Sequence, residues 1–216
     1  MGRTAVLGGT FNPIHYGHLL LADEILEILA LDRVLFVPAA LPPHKSARGL
    51  ASATDRQAMV ELATASHPRF EVSDVELRRA GPSYTVDTLE ALRRPGEELF
   101  LIVGSETFLD LLSWREPRRV AALARLVVVP RTGSAFDPES AAAQKVLREI
   151  GGEQFVRADG GQPEPRGVLL VHATSLPLSA SDLRRRVREG ASLAYRLPET
   201  VAAYIHERGL YRDDPA

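Results

Sequence analysis

The feature that most constrains this chain is a recurring short apolar run that stops abruptly at glycine or proline. Ala5-Val6-Leu7 stops at Gly8-Gly9, Val34-Leu35-Phe36-Val37 at Pro38, Leu99-Phe100-Leu101-Ile102-Val103 at Gly104, and Leu126-Val127-Val128-Val129 at Pro130. Val168-Leu169-Leu170-Val171 reads as the last strand, and Phe70-Glu71-Val72 as a shorter one. A run that is apolar at every position belongs to a strand buried on both faces, because a half-exposed strand would alternate. Between these runs the period becomes helical. Leu19, Ala22, Leu26 and Leu29 share one face of a helix over 17–30, with Asp23 and Glu27 on another. Further helices are predicted near 54–66, opened by the capping spacing of Thr54 and Gln57, and near 85–94, 105–112, 113–124, 139–149, 180–189 and 199–208. Strand–helix alternation of this kind predicts an α/β fold, a doubly wound, mainly parallel sheet covered on both sides. One domain over 1–216 is expected, with a small helical portion near 179–211 packed on its C-terminal side.

In such sheets ligands bind beyond the carboxyl ends of the strands, where the strand order reverses. The chemically informative residues do follow strands: 8–18, 38–45, 104–106, 130–131 and 172–184 are rich in Gly, His, Lys, Arg and Ser. They should meet on one rim. The bulk charge says any polyanion site is local, since 26 basic residues against 28 acidic leave a net charge of −2 and no basic field for nucleic acid. With no cysteine there is no disulfide framework, thiolate metal site or thiol nucleophile, which agrees with a cytoplasmic protein. No apolar run approaches the roughly 18 residues of a membrane span, and the start does not read as a secretory signal. Of the 26 basic residues only Lys45 and Lys145 are lysines, and Lys45 stands beside His44 after two prolines, a hint that an ammonium is wanted there.

The stretch 8–18, GGTFNPIHYGH, places two glycines after a strand and two histidines at the start of a helix. The glycines are expected to allow a tight turn. Unpaired N–H groups at the helix start favour an anion, and His15 and His18, three apart, share one face and can each donate to a phosphate oxygen. An isolated H-x-x-H pair reads more readily as ordinary surface or core histidines; the order strand, Gly-Gly, helix is what favours phosphate. The spacing is neither a dinucleotide-binding G-x-G-x-x-G nor a P-loop, and no third residue has metal-site spacing. Near the other end, Ser179-Ala180-Ser181-Asp182-Leu183-Arg184 is a serine-rich helix start with an arginine one turn in, able to fork onto phosphate oxygens. The remaining arginines 185, 186 and 188 read as a solvated helix face.

GGTFNPIHYGHL strongly resembles the signature of the nucleotidylyltransferase superfamily, whose (H/T)xGH motif here is His15-Tyr16-Gly17-His18, and residues 179–184 are similar to its SSTxxR element. VPAALPPHK (37–45), PSYTVDTLEAL (82–92), LFLIVGSETFLDLLSW (99–114) and YRLPETVAAYIHERGLY (195–211) resemble segments of the nicotinate mononucleotide adenylyltransferases, so the likeness spans nearly the whole chain. That family transfers the adenylyl group of ATP to nicotinate mononucleotide, with Mg²⁺ accompanying ATP, in NAD biosynthesis. The resemblance implies the Rossmann-like nucleotidylyltransferase fold. It implies that Gly8, Gly9, Thr10 and Phe11 lie along ATP and that His15, His18 and Arg184 hold its phosphates. Gly104 and Glu106 would serve adenosine, and Ser179 and Ser181 the phosphate end. His44 and Lys45 would grip the phosphate of the mononucleotide, and Tyr84, Thr85 and Trp114 would surround its pyridine ring. On its own Trp114 reads equally as a packing aromatic. The family's usual Gly-Ala-Asp is Gly104-Ser105-Glu106 here, and its second serine and threonine are Ala180 and Ser181. Phosphopantetheine or nicotinamide mononucleotide as acceptor, and an ATP-sensing module without turnover, are the competing readings. A homo-oligomer is allowed, and neither nucleic acid nor membrane is expected as a partner.

Overall fold

The computed structural model of the chain describes residues 2–42, 49–130, 133, 135–158 and 167–212. Its strands are β1 (Gly2–Gly9), β2 (Arg33–Pro38), β3 (Phe70–Val72), β4 (Glu97–Gly104), β5 (Arg125–Val129), β6 (Phe155–Arg157) and β7 (Val168–Leu170). Its helices are α1 (Tyr16–Ile28), α2 (Ala53–Thr64), α3 (Thr85–Leu92), α4 (Ser105–Leu109), α5 (Pro117–Leu123), α6 (Ala141–Glu149), α7 (Ala180–Arg188) and α8 (Glu199–Glu207). Successive side chains of a strand point to opposite faces, so each fully apolar run must feed two cores. It does. Ala5, Leu7, Val34, Phe36, Phe100, Ile102, Val127 and Leu169 pack into one buried cluster with α1, α2, α7 and α8. Val6, Leu35, Val37, Leu101, Val103, Val128 and Leu170 pack into the other with α3, α5 and α6.

The seven strands form one sheet in the order β3-β2-β1-β4-β5-β7-β6, and every adjacent pair is parallel. The chain winds outward from β1 through β2 to β3, then returns to lay β4 on the other side of β1. The order therefore reverses between β1 and β4, and the segments leaving those two strands flank the crevice. The C-terminal helices are part of the same packing: Leu183, Val201, Ile205 and Tyr211 are buried in the first cluster. Asp55 on α2 accepts hydrogen bonds from the Tyr204 hydroxyl at 2.9 Å and from Arg208 Nε at 3.4 Å, which ties α8 and its end to α2. Burial pushes the Asp55 carboxyl up. The bonds from Ser52 and Tyr204 and the charge of Arg208 outweigh it and hold the group below the usual carboxylate range.

Three sequence expectations shift. Strand β1 includes Gly8 and Gly9, which stay in register opposite Val37 and Pro38. The α2 helix is capped by Ser52, whose hydroxyl accepts from the Asp55 N–H at 3.0 Å, rather than opened by Thr54 and Gln57. Strand β6 was not predicted, because a three-residue edge strand carries almost no periodic signal and gains its partners only from β7.

Candidate functional site

The turn after β1 is built differently from the two-glycine turn the sequence suggests. The left-handed backbone falls at Phe11, with φ at 46°, and not at either glycine. Gly9 is needed for another reason: a Cβ there would come within 2.9 Å of the Phe11 ring. That ring is buried, and it meets the His18 ring edge-on at 5.2 Å and lies 6.0 Å from Phe36. Phe11 is thus a floor beneath His18, and only its backbone can lie along a nucleotide. Gly8 has open space where a Cβ would be, so its backbone is approachable.

At the start of α1 the two histidine rings stack at 3.8 Å, 27° from parallel. His15 is the N-cap and is 7% exposed; its backbone N–H donates to His18 Nδ1 at 3.3 Å. An acceptor Nδ1 carries no hydrogen, so His18 donates through Nε2, the geometry a phosphate oxygen needs. Gly17 explains itself in the same way. A Cβ there would sit 3.0 Å from Cε1 and Nδ1 of His15, displacing the ring. The sequence pattern H-x-G-H therefore encodes two stacked rings with a backbone that lets them stack.

The second motif reaches this turn directly. Arg184 Nη1 donates to the carbonyl of Asn12 at 2.9 Å across 172 residues of chain, so the late helix start lies against the early one. Asn12 is the hub. Its Nδ2 donates to the Gly49 carbonyl at 2.8 Å, and its Oδ1 accepts from the Ala51 N–H at 3.1 Å and from the Tyr211 hydroxyl at 2.9 Å. Ser179 caps α7, its hydroxyl accepting from the Asp182 N–H at 3.2 Å and lying 3.2 Å from the Ser181 hydroxyl, so part of the supposedly free helix start is already engaged. Arg185 is taken up by Asp182 and Glu189, and Arg186 by the Ser192 carbonyl, as a solvated face should be.

Between β1 and β4 lies a cavity of about 240 Å³ lined by Gly8, Gly9, Gly104, Thr85, Ser83, Thr107, Glu76 and Trp114, among others. The structure thus brings Thr85 and Trp114 to the same crevice as the glycines. Tyr84 is the N-cap of α3, with the Arg115 guanidinium 5.0 Å over its ring. Gly104 caps α4 and is exposed; Glu106, in the first turn, is exposed too, and Thr107 rather than Glu106 lines the cavity. His44 and Lys45 lie outside the described residues. The sequence reading missed Asn12, Gly17 as a packing device, and Arg56, the largest side chain among the fully buried ones. Among the described residues no group of three His, Asp or Glu side chains could cage a metal ion, and no helix is long and apolar enough to cross a membrane.

The cytidylyltransferase-like family model matches residues 6–186. A Geobacter metallireducens protein named "Probable nicotinate-nucleotide adenylyltransferase" is 43% identical over 98% of this chain and 99% of its own length. A Roseiflexus protein of the same name is 44% identical over 96% of both chains. Among solved structures, a Plasmodium falciparum nicotinic acid mononucleotide adenylyltransferase complexed with NaAD superposes with a TM-score of 0.74, covering 100% of this chain and 99% of its own at 18% identity. A likeness at that identity concerns the fold, and it agrees with the parallel sheet described above.

Proposed function

This chain belongs to the cytidylyltransferase-like family and, within it, to the nicotinate-nucleotide adenylyltransferases, and we propose that it runs its adenylyl transfer between the two helix starts that meet at Asn12. The observation that carries the reading is the bond from Arg184 to the Asn12 carbonyl. It brings the guanidinium to the turn that leads into His15 and His18, so three phosphate-binding groups can act on one triphosphate.

In this reading a phosphate oxygen of nicotinate mononucleotide attacks the α-phosphorus of ATP. A new P–O bond forms, the bond from the α-phosphorus to the bridging oxygen breaks, and pyrophosphate leaves with the electron pair. The nucleophile belongs to the substrate, so the absence of cysteine costs nothing and no activated hydroxyl is needed. What the protein supplies is alignment and charge stabilisation. His18, donating through Nε2 from a stacked and floored ring, addresses the α-phosphate. His15 and Arg184 take the leaving phosphates. The approachable backbone of 8–10 and the Gly104 turn admit the nucleoside, with Glu106 at the ribose. Thr85 and the indole of Trp114 face the pyridine ring, and His44 with Lys45 grips the mononucleotide phosphate. A divalent ion, Mg²⁺ in this reading, supplies neutralisation of the triphosphate charge. It would arrive with ATP, and His15, His18 and Arg184 would hold the phosphates that carry it. The reaction belongs to a cytoplasmic enzyme acting on free nucleotides.

The test is pyrophosphate release from ATP with each pyridine mononucleotide in turn. Release with nicotinate mononucleotide well above that with the nicotinamide form is expected. Release only with nicotinamide mononucleotide would change the substrate, and none with either would remove the reading.

A further inference from the structure

Arg56 is 0% exposed. A buried arginine ordinarily has a carboxylate partner. Among the described residues none lies within ion-pair distance of this one. Its three nitrogens instead each donate to a backbone carbonyl: Nε to Ala51 at 3.0 Å, Nη1 to Thr10 at 2.8 Å and Nη2 to Ala40 at 3.2 Å. Burial drives its pKa below the ordinary arginine value, and Tyr211 and Glu76 act against that.

The three carbonyls are not neighbours in function. Thr10 belongs to the turn between β1 and α1. Ala40 follows β2, and Ala51 precedes the Ser52 cap of α2, so they are the two stems of the loop that carries His44 and Lys45. The planar fork of a guanidinium reaches three directions from one rigid centre, which a lysine ammonium on a flexible stem does not do in the same geometry. An apolar side chain of this size would fill the space without the cost of burying a cation. What it could not do is fix three separate backbone segments at set distances from one another. We propose that Arg56 is a positioning residue: it fastens both stems of the mononucleotide-phosphate loop to the nucleotide turn and so holds the two substrates in register for in-line attack. The proposal rests on the function given above for its kinetic consequence, but not for its structural one. Asn12 reinforces the second stem through Gly49 and Ala51; on the first stem the Ala39 N–H donates to the Gly9 carbonyl at 2.9 Å and Leu41 bonds to Ser83, so Arg56 is the side chain whose single head group joins both stems to the turn.

The variant that tests it is Arg56→Lys in the full chain, which keeps the charge and much of the volume. Trypsin cleavage at Lys45 and Arg48 of the folded protein, well below its melting temperature, needs no substrate and no assumption about function. It should speed up at least about tenfold as the stems come free. In steady-state kinetics the turnover number should fall about 10²-fold, as for an alignment lost by about an ångström, while the Kd for ATP alone stays within about threefold. Cleavage and turnover both unchanged would overturn the proposal. So would losses in turnover and ATP affinity that merely track the fraction unfolded, or an Arg56→Lys protein that does not fold. If the wild type releases no pyrophosphate at all, the function fails, and the cleavage comparison alone still decides whether Arg56 holds the stems.

Discussion

The two helix starts that meet at Asn12 are constructed on opposite plans. At α1 the polar groups are held by sterics: His15 is buried, its ring stacks on His18, the Phe11 ring meets His18 edge-on, and Gly9 and Gly17 lack the Cβ that would press on the Phe11 and His15 rings. At α7 Ser181 and Arg185 are exposed, the serine hydroxyls are joined to each other and to the helix backbone, and a single long side chain, Arg184, crosses the gap. One side is rigid and short; the other is solvated and reaches. In the proposed function, a triphosphate clasped between them would have its reacting phosphorus addressed by His18 on the rigid side, while Arg184 on the reaching side joins His15 at the leaving phosphates.

The comparison can be broken most forcefully at His18. His18→Ala should lower turnover by about 10²–10³-fold, equivalent to about 3–4 kcal/mol, as for the loss of one transition-state donor. Near-normal turnover in steady-state assays would contradict it. Gly17→Ala leaves both rings in place chemically but presses a methyl on His15, so it should cost between about 10- and 100-fold in turnover with the circular-dichroism spectrum of the folded protein retained. If that variant works like the wild type, rigidity is not what the early start contributes. Arg184→Lys keeps the charge and loses the fork, and a reaching side chain should tolerate this better, with kcat/KM reduced about tenfold. A loss as large as that of His18→Ala would erase the distinction between the two sides.

The smallest effect is expected away from both. Tyr204→Phe removes a hydrogen bond to Asp55 and should lower Tm by about 2–4 °C near neutral pH. The folded Asp55 carboxyl titrates below its ordinary value. Its stabilisation is therefore complete above the unfolded value of about 3.9 and is lost as the pH falls through the folded value. The gap in Tm between wild type and Tyr204→Phe should be full at pH 5 and above and should shrink as the pH drops below about 4. A gap that widens on acidification would contradict the linkage.

The fold was legible because apolar runs such as 99–103 are hydrophobic at every position, and only a sheet covered on both sides satisfies that. The position of the site followed from the same runs, since Gly9 and Gly104 end strands on either side of the reversal. The roles of individual glycines were not legible. Gly9 reads as a turn former and Gly17 only as a motif position, and what they do is make room for the rings of Phe11 and His15, a fact held in three dimensions and absent from spacing. Arg56 was invisible for a related reason. Within TDRQAMVEL it reads as one more polar position on a helix, and its three partners at 10, 40 and 51 share no periodicity with it. Glu106 was singled out by its place in a motif, whereas the cavity is lined by the next residue but one from Ser105, Thr107.

The central claim is that His18 and Arg184 act on one triphosphate in the same transition state, and a double-mutant cycle in turnover reads that directly. Groups that act as a unit in one transition state are not additive, so His18→Ala with Arg184→Ala together should cost little more than His18→Ala alone. A combined loss equal to the product of the two single losses would mean that the helix starts work independently, and the shared site would be wrong.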